Sequence, residues 1–271
     1  MASEAPPLAI VTGASSGIGA AIAARIARPG LTVALVGRSA EGLAATAAAV
    51  ERAGAVAHTA RLDLTTDAFE AFVGRVAERR TLTAFYANAG VSAGPTSADV
   101  LESVEDTERL VRTNLSATIL SVRAVVGAMR AQSRASRPTR RIGVVASIAA
   151  LLPVPDLAVY SATKAALVAY AHALRPRLKA DGIALTVTCP GFVATPMSAR
   201  HLGAKPFTLS AAAAAAKIVH AVEAGRRTAV FPLPWRLLAM AAAVAPGALI
   251  DALVPNFAAT IEPDPRRLPP A

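Results

Sequence analysis

Cysteine and tryptophan are scarce in this 271-residue chain, with one of each, and acidic side chains are few beside the basic ones, 18 Asp and Glu against 28 Lys and Arg. The lone Cys189 excludes an intramolecular disulfide and any cysteine-based metal cluster, and it fits a reducing cytoplasm. The four histidines, His58, His172, His201 and His220, lack metal-ligand spacing, so no metal site is expected. Charged residues are only 17% of a chain that is 54% hydrophobic, which excludes a disordered or low-complexity protein. Long apolar runs are missing too. The nearest approach to a membrane span, Leu237 to Ile250, falls short of the roughly 18 residues required and contains Pro246. Met1 to Pro7 shows no basic run followed by an apolar core, so no signal peptide is expected.

What is abundant is arginine and alanine. Arginine supplies 24 of the 28 basic residues, alanine fills about a quarter of the chain, and the net charge is +10. Five arginines cluster at Arg130, Arg134, Arg137, Arg140 and Arg141. An anionic partner, nucleic acid or lipid headgroups, is one reading of that cluster. No aromatics are interleaved for base stacking, so it reads as a solvated surface loop, and no nucleic-acid partner is expected.

The length allows one large α/β domain or two small ones, with a core of ordinary proportions. Periodicity then gives strand–helix alternation with no linker before the last third. Strands are expected at Leu8–Thr12, Leu31–Val36, Val56–Leu62, Leu82–Ala87, Ile142–Ala146 and Ile183–Cys189. Helices are expected at Gly17–Arg28, Glu41–Arg52, Ala68–Arg79, Val104–Ala131 and Asp156–Ala180. Such alternation means parallel pairing and right-handed crossovers, hence a doubly wound sheet with ligands at the strands' carboxyl ends. Phe192 to Phe207 is punctuated by Pro and Gly and reads as a loop able to move.

Three clusters carry chemistry. Between the first strand and first helix lies Thr12-Gly13-Ala14-Ser15-Ser16-Gly17-Ile18-Gly19, whose glycines let a pyrophosphate approach a helix N-terminus. At the end of the second strand stands Val36-Gly37-Arg38-Ser39, with no acid where a carboxylate would accept bonds from the adenosine ribose. Arg38 there offers a bidentate charged partner to a 2′-phosphate and Ser39 a further hydrogen bond, so the cofactor is expected to be NADP(H) rather than NAD(H). The third cluster is Tyr160-Ser161-Ala162-Thr163-Lys164, with Tyr160 and Lys164 four apart on one helical face. A phenol is a poor acid–base group at neutral pH unless its anion is stabilised, which a nearby ammonium does. Ser147, at the end of the fifth strand, reaches the same pocket to hold a carbonyl oxygen. Cys189, at a strand end, reads as a small buried side chain.

These motifs, in this order, resemble the short-chain dehydrogenases/reductases, in the compact single-domain form. The resemblance runs from about Leu8 to Pro232 and includes Asp63, Asn88-Ala89-Gly90, Asn114, and Pro190-Gly191 with Thr195. It implies a Rossmann-type sheet of about seven parallel strands with helices on both faces. It implies Tyr160 as general acid/base, Ser147 as substrate-orienting group, and Lys164 as a ribose-binding cation that lowers the tyrosine pKa. Asn114 would hold a water in a proton relay. Gly13, Ser15, Ser16, Gly17, Ile18 and Gly19 would meet the phosphates, Asp63 and Leu64 the adenine, and Asn88, Ala89 and Gly90 the central cofactor. Pro190, Gly191, Val193 and Thr195 would lie at the nicotinamide. The stretch between Asn114 and Ser147, longer than usual, reads as a surface insertion. A homodimer or homotetramer in the cytoplasm is the expected state.

One domain over residues 1–271 is therefore expected, with a core at about 8–232 and an apolar helical extension at 233–271 acting as pocket cap or interface. Pro232, Pro234 and Pro246 should keep Phe231 to Phe257 from forming one unbroken helix. The apolar residues after Pro190 point to a lipophilic carbonyl or alcohol substrate. Two other readings stay open: a dinucleotide-binding regulator or scaffold without turnover, and a reductase that leans on a membrane surface.

Overall fold

Leu8 to Val11 bring no charged or polar side chain and are buried on both sides, which the centre of a parallel sheet permits. That strand, β1 (Pro7–Thr12), anchors a computed structural model that describes residues 5–95, 101–132, 139–248 and 261–262. The chain continues through α1 (Gly17–Ile26), β2 (Thr32–Gly37), α2 (Ala40–Arg52), β3 (Val56–Arg61), α3 (Ala68–Ala77) and β4 (Thr81–Ala87). After it come α4 (Val104–Leu110), α5 (Ala117–Ala131), β5 (Arg140–Val145), α6 (Ala158–Ala180) and β6 (Ile183–Pro190). The last third holds β7 (Val193–Ala194), α7 (Pro196–Ala199), β8 (Leu209–Ser210), α8 (Ala211–Glu223), β9 (Thr228–Phe231) and α9 (Leu233–Ala242).

Seven strands pair in the order β3-β2-β1-β4-β5-β6-β9, all parallel, as expected of a doubly wound sheet. Helices cover both faces. Phe69 and Phe72 of α3, Val122 and Val125 of α5, and Leu167 of α6 fill one side. Ile22 of α1, Leu43 of α2, and Ile218 and Val222 of α8 fill the other. Each such side chain contributes about 1.5–3 kcal/mol by leaving water. The strand order turns back between β1 and β4, so a crevice opens at their carboxyl ends, where such sheets bind ligands.

The structure departs from the sequence reading in several places. The helix expected over Val104–Ala131 is interrupted by a π-helical segment, Val111–Ser116, which contains Asn114. The seventh strand, β9, has only four residues, too short for a period to show. As expected, no unbroken helix starts at Phe231: Pro232 caps α9, Pro234 sits in its first turn, where a missing N–H costs nothing, and the helix ends at Ala242. The arginine cluster is not a solvated loop as a whole. Arg140 opens β5, is buried and donates to the Met129 carbonyl; Arg130 pairs with Asp181 at 2.5 Å; Arg141 Nε donates to Glu223 O at 3.0 Å. Arg134 and Arg137 lie outside the described residues. The segment from Phe192 to Phe207 carries β7 and α7, and β7 pairs with β8.

Candidate active site

The glycine turn is built by close approach. Gly13 and Gly17 have φ of +67° and +56°, the left-handed region that glycine enters freely. A Cβ on Gly19 would stand 2.2 Å from the Gly13 carbonyl oxygen, so only glycine lets α1 start this near β1. Ser16 caps α1 without a side-chain hydrogen bond, leaving the helix's first N–H groups directed at the crevice. Thr12 Oγ1 ties the turn to the end of β4, accepting from Asn88 N at 3.1 Å and Ala89 N at 3.2 Å. Asn88 Nδ2 donates to Thr12 O at 3.1 Å.

The crevice runs from this turn in two directions. Toward β2 and β3 it is lined by Gly37, Arg38, Asp63 and Leu64. Arg38 is exposed, and Arg61 Nε donates to its backbone carbonyl at 3.2 Å. Arg61 was missed by the sequence reading because the neighbour across β2 and β3 emerges only from the register Gly37↔Arg61. Ser39 Oγ accepts from Gly42 N at 3.1 Å as the cap of α2, and Asp63 Oδ1 accepts from Thr65 N and Oγ1, both at 2.8 Å. Toward β5 and α6 the crevice meets Asn88, Ala89, Gly90, Tyr160, Lys164 and Thr195.

Of the residues expected at the cofactor, Gly13, Ser15, Ser16, Gly17, Ile18, Arg38, Asp63, Leu64, Asn88, Ala89, Gly90, Tyr160, Lys164 and Thr195 line this crevice. Gly19 and Ser39 do not; one shapes the turn and the other caps a helix. Pro190, Gly191 and Val193 line a second cavity instead, together with Ser147. Met197, one of the apolar residues after Pro190, and Arg200, which the sequence reading did not single out, also line the crevice, carried there by α7 and the residue that follows it.

Tyr160 and Lys164 share one face of α6, with Lys164 Nζ 5.6 Å from the Tyr160 ring centroid. The ammonium is buried and donates to Val145 O at 3.1 Å. Burial lowers the Lys164 pKa to about 8, with the neighbouring Cys189 opposing that shift. Tyr160 hydrogen-bonds to Ser147, and Ser147 Oγ accepts from Ala149 N at 3.2 Å. Burial raises the Tyr160 pKa above the usual phenol value and the Ser147 bond only partly offsets it. That direction is the reverse of the lowering expected from Lys164, because burial disfavours the phenolate.

Asn114 is fully buried behind this pair. Val91 N donates to its Oδ1 at 2.8 Å and its Nδ2 donates to Val91 O at 2.9 Å. A Cβ on Gly90 would lie 3.2 Å from Asn114 Oδ1 and 3.4 Å from Lys164 Nζ, so Gly90 is the spacer that lets them approach one place. Cys189 is buried with its thiol pushed up to about 12, chiefly by burial, as befits a packing residue.

The second cavity adjoins the first across Tyr160 and is mostly apolar, with Ile148, Val154, Phe192 and Met197 in its wall. Trp235 of α9 is buried against this wall; it packs on Phe192, and a Cβ on Gly191 would lie 2.5 Å from its Cδ1.

A glycine cradle at an uncapped helix N-terminus, with cations at one end and a Ser–Tyr–Lys group at the other, defines a dinucleotide-binding oxidoreductase. Comparison with known proteins agrees. Residues 7–205 match the family model described as short chain dehydrogenase. A Streptomyces coelicolor protein named "Putative ketoacyl reductase" is 35% identical over 201 residues, 73% of this chain and 75% of that protein. A 3beta-hydroxysteroid dehydrogenase of Mediterraneibacter gnavus is 32% identical over 193 residues, 70% of this chain and 67% of that one. A solved short-chain dehydrogenase from Sphingobium yanoikuyae in complex with NADPH has a TM-score of 0.73 at 25% identity, covering 90% of this chain and 96% of that one. The chain belongs to the short-chain dehydrogenase/reductase family. It is an oxidoreductase of CH–OH and C=O groups that uses a nicotinamide dinucleotide and a small-molecule substrate.

Proposed function

We propose that the protein interconverts a carbonyl and a secondary alcohol on a lipophilic substrate, with NADP(H) as cofactor. The observation that carries this reading is the placement of Tyr160 between a dinucleotide crevice and an apolar cavity, with Ser147 in the lining of that cavity. The bound cofactor supplies or accepts the hydride at the substrate carbon. In the reductive direction Ser147 holds the substrate oxygen and the Tyr160 phenol donates a proton to it. Lys164, with a pKa near 8, holds the cofactor ribose and exchanges protons readily near neutral pH. Asn114, beside Gly90 and Lys164, positions the route by which the proton is restored. Arg38, with Arg61 next to it, favours the 2′-phosphate, and Ser39 keeps a hydroxyl proton to donate while its oxygen caps α2. The names of the relatives, ketoacyl reductase and hydroxysteroid dehydrogenase, support a lipophilic carbonyl substrate.

The chain is proposed to be one domain, with a core at about 8–232 and the extension closing the substrate cavity through Trp235. No helix of the described residues is long and apolar enough to cross a membrane, and a cytoplasmic enzyme is the reading we favour. Assembly as a homodimer or homotetramer through the long helices belongs to this reading. A second reading of the extension, as a surface that also rests on a membrane, is favoured by Leu233, Leu237, Met240 and Val244, exposed at helical spacing along α9 and just beyond it.

Tyr160→Phe tests the chemistry. It should lower kcat by about 10³-fold, or about 4 kcal/mol of barrier, while NADPH affinity stays within about twofold. A variant keeping more than about a tenth of the activity would remove Tyr160 from its role.

A further inference from the structure

His201 stands apart from the other histidines. His58 lies edge-on to Phe72, His172 Nε2 meets Thr228 Oγ1 at 2.8 Å, and His220 is exposed on α8. His201 is 6% exposed, lines the second cavity with Ser147 and Tyr160, and its Nε2 has no hydrogen-bond partner among the described residues. A buried polar atom is ordinarily satisfied, so an unsatisfied one in the wall of a ligand cavity points to a group that arrives with the ligand.

The ring is held from several sides. His201 N donates to Ser198 O at 3.2 Å, and the residue pairs antiparallel with Ile261. Next to it, Glu262 N donates to Arg200 O at 2.8 Å, and Arg200 Nη1 returns a bond to Glu262 O at 3.0 Å. Arg200 Nη2 reaches Ser92 O and Oγ, both at 3.2 Å. The imidazole packs on Phe192 with ring centroids 5.2 Å apart. Burial lowers its pKa below the ordinary histidine value, Lys205 adds to this and Asp156 opposes it, a direction that favours the uncharged ring. A neutral imidazole presents one N–H and one lone pair, which suit an uncharged oxygen better than an ion.

We propose that His201 is a specificity-determining residue whose Nε2 hydrogen-bonds a second, uncharged oxygen function, carbonyl or hydroxyl, on the substrate's apolar body. This rests on the carbonyl-reductase reading and narrows its substrate class to lipophilic ketones with a further oxygen group away from the reacting carbon. A monofunctional ketone of the same size fits the apolar wall and leaves Nε2 unmatched. Sites built around a substrate hydrogen bond discriminate strongly against analogues that lack the bonded group.

The test is a positional scan with NADPH. A long-chain methyl ketone is compared with diketones made by stepping a second carbonyl along the same chain. For the wild type, kcat/KM should rise by about tenfold or more over the monoketone at one or two adjacent positions and not elsewhere. In His201→Leu the ratio of diketone to monoketone at those positions should fall to about one; His201→Gln, which keeps an N–H, should retain part of it. NADPH affinity, measured on each variant, reports whether the fold is intact. A wild-type scan with no preferred position overturns the proposal, and so does a His201→Leu variant that keeps the ratio. The underlying reading fails separately, if the wild type binds NADPH and reduces no ketone of the set, or if Tyr160→Phe reduces them as fast as the wild type.

Discussion

Arg38 and Lys164 show how much a single position decides. Replacing Arg38 with Ala should lower NADPH affinity by about one to two decades and leave NADH affinity nearly constant, because only the 2′-phosphate loses a charged partner. Isothermal titration with both cofactors checks this, and equal losses would make Arg38 structural. Lys164 predicts a pH effect on stability. Its folded pKa of about 8 lies below the ordinary lysine value of 10.5, so above pH 8 the unfolded chain binds more protons at this site and stability rises with pH. Cys189, raised from 9.0 to about 12, acts in the opposite sense above pH 9, where its unfolded thiol ionises first. Between pH 8 and 9 the Lys164 effect therefore dominates, at no more than about 1.4 kcal/mol per pH unit. Urea unfolding of the ligand-free protein should show a midpoint that climbs over this range, and Lys164→Met should flatten it. Both residues were legible in the sequence, from a strand end and from an i, i+4 spacing. Arg61 and His201 were not, since each acquires its neighbours from a distant segment: Arg61 from strand register, His201 from the pairing with Ile261.

Among the elements, those with a long hydrophobic period were read correctly, and the irregular ones were not. The helix over Val104–Ala131 has an apolar stripe along its length, and a stripe does not reveal the wider turn at Val111–Ser116. That wider turn accompanies the inward placement of Asn114, whose amide closes both bonds with Val91, a requirement of the site rather than of the period. Helix α9 falls in the apolar extension expected to be helical, and its prolines sit where a helix begins. Its removal is a direct experiment. A chain ended after Pro232 keeps β9 paired with β6 but loses Trp235 from behind Phe192 and Ile148 of the cavity wall and Ile261 from its lining. The shortened protein should still bind NADPH and gain about 2.7 kcal/mol of stability at a hundredfold excess over the dissociation constant. Its activity on lipophilic carbonyls should collapse. Insolubility would make α9 part of the core or of an interface, and undiminished activity would overturn the capping role. Co-sedimentation of the intact but not the shortened protein with anionic vesicles would establish the membrane reading.

At the scale of the whole molecule, the sheet's parallel order and its crevice were legible because buried strands and crossover helices repeat the same physical pattern along the chain. The size of the substrate cavity was not, since its wall is assembled from the ends of β5 and β6, α7 and residue 261, which no local pattern joins. The two cavities have a shared partition: Ile18, Ala146, Tyr160, Thr195 and Met197 line both. A molecule in the crevice therefore becomes part of the floor on which the second one sits. The consequence is kinetic order: cofactor arrives first and leaves last, and substrate finds its seat complete only in between. An inert substrate analogue should then inhibit competitively against the ketone and uncompetitively against NADPH. A noncompetitive pattern against NADPH would mean that each cavity fills without regard to the other.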